Sequence, residues 1–522
     1  MSTSRRIAFG AAANWFSRGV AIILGLVLMP VLLRTLPKEQ VGIWLLLGQS
    51  WAVLGILDLG FGATLTRRIA IAKGKSGGNP DKPLSPVSLS EIADLIAAGR
   101  RIYRFMAAGV FLVSWSLGFF YLKHLDPQSI SLSTVWLAWT ILCVCQAMTV
   151  WASVWTCLLQ GVGYVGWDAL LGTVINGVTL GAQIVAVLAG GGIISLAVIA
   201  TTGAILQRTV FRWFAFGKSP ELLGLCGVWN PSVLKGMPGL ALRSWLTSIG
   251  SVLVFNTDGF FIASGQGAEN IPAYRAAFLV VLNIHILASV FAQSSGVFIS
   301  QLWQAGQHDE VRRLFQRNLR IGLSVMLCGG AAVLFSGESL FNVWLGPTNY
   351  AGIGILSIFV VLFALEQQSF IIATSCRATD HEPFAGWMIA GGMLKLVMAV
   401  PMMKMFGLAG LAVATLAAQM ATSHWGVAYL GLSRLQYSVS RYFVAVLLPC
   451  IGVFLAASGV SYLMVIVLSE KSDWVKTIAV VSSSALTLLI ALWFLALDRS
   501  HRSRVLDSIR LCSVTSFLNH RF

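Results

Sequence analysis

Apolar blocks of about 20 residues, bounded by Arg, Lys, Pro or Gly, recur along the whole chain. A helix rises about 1.5 Å per residue, so each block matches the roughly 30 Å of a bilayer's hydrocarbon core, a length that a single buried core would not demand so often. The pattern predicts spans at 14–33, 41–63, 103–122, 132–159, 169–189 and 193–211 in the first half. It predicts 240–262, 273–302, 321–335, 353–376, 384–405 and 408–430 in the second, followed by 442–468 and 475–497. Fourteen spans make the expected fold an all-α polytopic membrane protein. Its organisation reads as a six-helix half at 1–216, a linker at 217–239, a second six-helix half at 240–430, two additional helices at 431–497 and a tail at 498–522.

Composition strengthens this reading. Of 522 residues 57% are hydrophobic and 11% charged, whereas a soluble domain carries charge on about a quarter of its residues, so too little polar surface exists for an ordinary soluble enzyme. A net charge of +16 would point to nucleic acid in a soluble chain. Here the positive-inside rule must be applied first. With the amino terminus inside, inner segments hold 26 of the 36 Lys and Arg residues and outer loops hold six. Both termini are therefore expected in the cytoplasm, and the charge needs no nucleic-acid partner. Ser4-Arg5-Arg6 resembles a twin-arginine export signal, but the long apolar run after it reads as a retained anchor.

Residues 73–90 are rich in Gly, Pro, Ser and Lys and read as a cytoplasmic loop. Ser88-Leu89-Ser90-Glu91 then reads as a capping box opening a short amphipathic helix toward Arg104 on the membrane surface. The eight cysteines form no C-x-x-C pair and sit in apolar runs or inner loops, so they read as packing residues and no metal or other cofactor is implied.

Ionisable side chains inside spans are costly, about 2.5–3.5 kcal/mol each on insertion scales, and are functional candidates for that reason. Seven need attention: Arg18, Asp58, Arg243, Asp258, Arg275, Glu366 and Lys395. Asn14 and Arg18 share a face of the first span, and Asp58 lies on a stripe with Gly48, Gly55 and Gly62 in the second. The seventh span aligns Arg243, Thr247, Gly250, Thr257 and Asp258, and the eighth aligns Arg275, Ser289 and Gln293. Arg18, Arg243, Arg275, Lys395, Asn14 and Gln293 are read as cavity residues for an anionic cargo. Asp58, Asp258 and Glu366 are read as groups for cation coupling or charge pairing, with an H+ or Na+ gradient as the driving force. Two readings of Lys395 stand side by side: a cargo ligand, or the partner of Asp258 or Glu366.

Sliding the chain by 230 positions superposes Asn14-Trp15 on Ser244-Trp245 and Gly42-Ile43-Trp44 on Pro272-Ala273-Tyr274, so the first two spans recur as the seventh and eighth. Such repeats are a transporter design with a cavity between halves. The opening residues carry a further likeness. Ala13-Asn14-Trp15, the run from Leu28-Met29-Pro30 through Leu36-Pro37-Lys38-Glu39-Gln40-Val41-Gly42-Ile43-Trp44, and Leu57-Asp58-Leu59-Gly60-Phe61-Gly62 resemble the start of Wzx-type polysaccharide and O-antigen flippases of the MOP exporter superfamily. The resemblance covers about the first 70 residues closely. It implies alternating access, an oligosaccharide carried on a polyprenyl diphosphate for O-antigen, capsule or exopolysaccharide synthesis, and contact with the polymerase and glycosyltransferases of that pathway as well as with membrane lipids. The alternatives are a lipid II flippase of the MurJ type, a MATE exporter of small molecules and, less well supported, a polyprenol-dependent glycosyltransferase. No Asp-x-Asp pair and no Walker phosphate loop occur, so the chain reads as no enzyme.

Overall fold

The computed structural model describes residues 3–55, 61–74, 85–123, 127–222, 227, 238–304, 306–379 and 383–495, and every regular element among them is helical. The α-helices are α1 Thr3–Thr35, α2 Lys38–Gly55, α3 Phe61–Gly74, α4 Pro86–Leu122, α5 Leu132–Val162, α6 Val165–Leu188, α7 Ile193–Lys218, α8 Pro238–Phe255 and α9 Asp258–Gly265. They continue as α10 Ile271–Gln304, α11 His308–Trp344, α12 Ile353–Arg377, α13 Ala385–Ala421, α14 Ser423–Arg434, α15 Val439–Tyr442, α16 Leu448–Val467 and α17 Asp473–Leu495.

Among the described residues eleven helical stretches are long and apolar enough to cross a membrane. One of them, Ala385–Arg434, has 50 residues and would measure about 75 Å if straight, far more than a bilayer. It is interrupted at Gly407, whose φ of 61° and ψ of −143° belong to no helix, between the two spans predicted at 384–405 and 408–430. Residues 56–60 of the second predicted span, residues 75–84 of the predicted loop and the tail 498–522 lie outside the described residues. The outward faces of α16 and α17 carry Leu455, Leu463, Val467 and Leu489 exposed, side chains that only lipid can solvate cheaply over so large an area.

Packing divides the chain into two units. The first is Met1–Arg275 with Met388–Thr415, and the second is Ala276–Trp387 with Leu416–Phe522. In the first, α5 lies against α3, α4 and α7, around a core that includes Leu65, Ile69, Tyr103, Trp155 and Phe211. In the second, α11 packs on α12, α16 and α17, and the core includes Phe315, Leu319, Ile371, Phe384 and Cys450. The six described cysteines are buried free thiols.

Two local expectations are corrected. The capping box at Ser88 opens no separate surface helix: α4 starts at Pro86, Ser85 accepts the N–H of Ser88, and the helix runs unbroken into the third predicted span. Its apolar face, Ile92, Leu95 and Ile96, joins the core with Leu65, Ile69 and Ala72 of α3 instead of facing lipid, and the Ser88 hydroxyl donates to the Ala72 carbonyl at 2.8 Å. The predicted seventh span, 240–262, keeps one apolar stretch long enough to cross a membrane, Trp245–Gly265, but its helix is broken into α8 and α9 at Asn256-Thr257.

Candidate functional site

The break between α8 and α9 is where the buried charge sits. Thr257, the residue ahead of α9, donates its hydroxyl to the Leu253 carbonyl at 2.8 Å, satisfying an acceptor that the interruption would otherwise leave open. Asp258 follows in the first turn of α9 and is buried.

Helix α13 approaches this break unusually closely because glycine faces it. A Cβ added at Gly250 would lie 2.4 Å from the backbone carbon of Met388, and one at Gly392 would lie 2.8 Å from Leu253 Cβ. Side chains larger than hydrogen would hold the two helices apart. One turn beyond Gly392, Lys395 therefore reaches the break. It is wholly buried, its Nζ stands 2.5 Å from Asp258 Oδ1, and it donates to the Thr257 hydroxyl. The Phe261 ring lies 5.5 Å from the same Nζ. Tyr274, at the start of α10, donates its hydroxyl to the other carboxylate oxygen, Asp258 Oδ2, at 2.8 Å. Arg275 is half-buried beside it and acts on Asp258 electrostatically.

Of the two carboxylates that the sequence offers Lys395, Asp258 is the one that pairs with it. The constellation thus joins Asp258, Lys395 and Arg275 from the predicted set, and it adds Thr257, Phe261 and Tyr274. Thr257 lies on the polar stripe read from the sequence, and Tyr274 is the aromatic residue at which the repeat enters its second span. No periodicity indicates that the Tyr274 hydroxyl turns back onto Asp258.

The other predicted residues lie elsewhere. Glu366 is half-buried on α12 in the second unit, with Arg377 acting on it electrostatically, and its neighbour Gln367 is fully buried and accepts from Ser289 at 3.0 Å. Gln293 is exposed on α10. Asn14 and Arg18 belong to α1 and Arg243 to α8, but their side chains, like Asp58 as a whole, lie outside the described residues. Of the core histidines, His424 meets the Ser369 hydroxyl through Nδ1 at 3.0 Å, and His285 lies against Phe363 and Phe370.

The residues at the start of α2 have a further role. Glu39 accepts the backbone N–H groups of Gln128 and Ser129 at 2.8 and 2.6 Å, and Gln40 donates to the Ser129 carbonyl at 3.1 Å. A Cβ at Gly42 would lie 1.8 Å from the Ala268 carbonyl oxygen. These residues hold the start of α2 against the α4–α5 loop and against the turn before α10.

An all-α polytopic chain with these broken, charge-bearing helices has the fold of MOP-superfamily transporters. It is similar to the lipid II flippase MurJ in an inward closed conformation, with 13% identity, a TM-score of 0.66, and 92% of this chain and 97% of that one covered. It is also similar to a multidrug resistance MATE family transporter in an inward-facing conformation, with 11% identity, a TM-score of 0.66, and 82% and 98% covered. A third likeness is to a MOP superfamily transporter from Pyrococcus furiosus described as having a binding pocket of reversed polarity, at 12% identity and a TM-score of 0.57 over 83% and 95%. No protein-family profile matches the chain, and no curated protein does.

Proposed function

We propose that the protein is a flippase that carries a polyprenyl-diphosphate-linked oligosaccharide across the cytoplasmic membrane by alternating access, and that it is no enzyme. The observation that carries this reading is the transporter fold shared over 92% of the chain with a lipid II flippase, alongside the flippase-like motif of the first 70 residues. A 14-helix plan with both termini in the cytoplasm, six-helix halves at 1–216 and 240–430 and a supplementary pair at 431–497 belongs to the same reading.

Within it, Lys395 and Asp258 have a different task from the remaining cations. A fully buried lysine whose ammonium is already shared between a carboxylate and a hydroxyl has little left to offer a diphosphate. Arg18, Arg243 and Arg275, with Asn14 and Gln293, are then the groups that meet cargo, and arginine's planar fork suits a diphosphate. The pair itself responds to cations. A proton or Na+ on Asp258 removes the counter-charge of Lys395 and leaves an ammonium in a dry site, which drives that part of the protein toward a state where Lys395 is solvated. Asp58 and Glu366 are further candidates for coupling.

Transbilayer movement of a fluorescent polyprenyl-diphosphate oligosaccharide in proteoliposomes tests the proposal. Movement above that in protein-free vesicles is expected, with loss on Arg243→Ala. Vesicles that move a small organic cation and no lipid-linked glycan would favour the MATE alternative instead.

A further inference from the structure

Outside the buried pair, the first unit carries a cluster of cations, Arg100, Arg208 and Arg212. Arg208 of α7 lies with its guanidinium 3.5 Å from the centre of the Trp151 ring on α5. Arg212, one turn on, stands 5.9 Å from the Trp155 ring and 5.8 Å from Phe216. Both Arg212 and Arg100 of α4 act repulsively on Arg208. Among the described residues none of the three forms an ion pair, and the buried Nε of Arg208 has no hydrogen-bond partner. Two guanidinium groups on aromatic rings, with the charge of Arg100 close enough to repel Arg208, raise the energy of the empty site, and an anion relieves that repulsion.

The place of the cluster selects the anion. Helix α7 ends beside the turn between α5 and α6, because Lys218 lies 5.9 Å from the Tyr164 ring and Phe214 meets it edge-on. Arg100 lies just before the predicted span 103–122, and Arg208 and Arg212 lie at the end of the predicted span 193–211, so all three arginines stand near the end of an apolar span. Around them Phe105 and Trp213 are exposed, as aromatic and apolar side chains are at a membrane interface. Arg100 and Arg212 are exposed as well, which leaves the site open toward the lipid headgroup layer.

We propose that Arg100, Arg208 and Arg212 bind the phosphate of an anionic lipid headgroup on the floor formed by Trp151 and Trp155. The site is separate from the Asp258–Lys395 pair and does not depend on what the protein transports. Lipid contributes the phosphate already at interface depth, where each arginine adds about fivefold to the affinity.

Native mass spectrometry of the detergent-purified protein tests this, using phosphatidylglycerol, phosphatidylcholine of the same chains, and inorganic phosphate as probes. The unaltered protein is expected to retain phosphatidylglycerol preferentially. Arg208→Gln and Arg212→Gln should each weaken it about fivefold, and the double variant should bring it to the phosphatidylcholine level. Arg212→Gln and Arg100→Gln change exposed side chains and so remain informative if Arg208→Gln misfolds. Trp151→Leu keeps every charge and should weaken the lipid through loss of the stacking floor. Equal retention of the two lipids by the unaltered protein would overturn the proposal, as would an undiminished preference in the double variant. Inorganic phosphate competing with phosphatidylglycerol at equal concentration would also overturn it, making the cluster a site for soluble phosphate.

Discussion

A lysine with no exposed surface is stable only through its partners, and Lys395 has three: a carboxylate, a hydroxyl and an aromatic ring. Removing one member of a buried pair typically costs about 3–5 kcal/mol, whereas replacing both with uncharged groups is near neutral or stabilising. Lys395→Met and Asp258→Asn are therefore each expected to lower the thermal midpoint in detergent, and the double variant to recover most of that loss. A double variant as unstable as the worse single would place the energy elsewhere. Glu39 makes the complementary case outside the membrane. Its small burial would raise the carboxyl's pKa, but the bonds from Ser129 and Gln128 outweigh that and hold it below the usual carboxylate range. A depressed folded pKa gives stability that is present above the unfolded value, about 4.3, and is lost as pH falls through the folded one. Amide exchange at Gln128 and Ser129 should accelerate in that acidic window, and Glu39→Gln should show the faster exchange already at neutral pH.

At the scale of elements, close approach is set by glycine. Gly250→Ala places a methyl group against the Met388 backbone, which has no flexible end to move, and the expected cost is about 1–3 kcal/mol together with separation of α8 from α13. Gly109→Ala in α4 meets nothing within 4 Å and should be neutral or stabilising by up to ~1 kcal/mol, since it gains helix propensity without a clash. Comparison of the two unfolding midpoints checks the argument, and equal effects would contradict it. Gly407→Ala belongs to the same set, because its positive φ allows the chain to leave the helical path between two spans. The helix periodicity did not show the break at Asn256-Thr257, because the apolar runs 252–255 and 260–262 on either side of it fit one continuous helix. The same limit applies to α4, whose amphipathic face meets α3 and not the membrane surface. A moment along one helix shows that a face needs cover and leaves open what covers it.

For the whole molecule the testable expectation is orientation. Residues 73–90 and the tail 498–522 are expected in the cytoplasm, so a cysteine at position 80 in a cysteine-free background should resist a membrane-impermeant reagent in intact cells and react in inverted vesicles. Labelling from outside would reverse the topology. The sequence alone determined that the chain is a helical membrane protein and where most of its spans lie, because hydrocarbon length acts on each span separately. It also supplied the small residues on the faces of α8 and α13. Tertiary structure alone decided that Lys395 meets Asp258, that Tyr274 turns onto the same carboxylate, and that Arg208 and Arg212 of α7 lie against Trp151 and Trp155 of α5. The paired residues Asp258 and Lys395 stand more than a hundred positions apart, and local periodicity contains no term for the distance between two helices, which is set by how closely their backbones can pack.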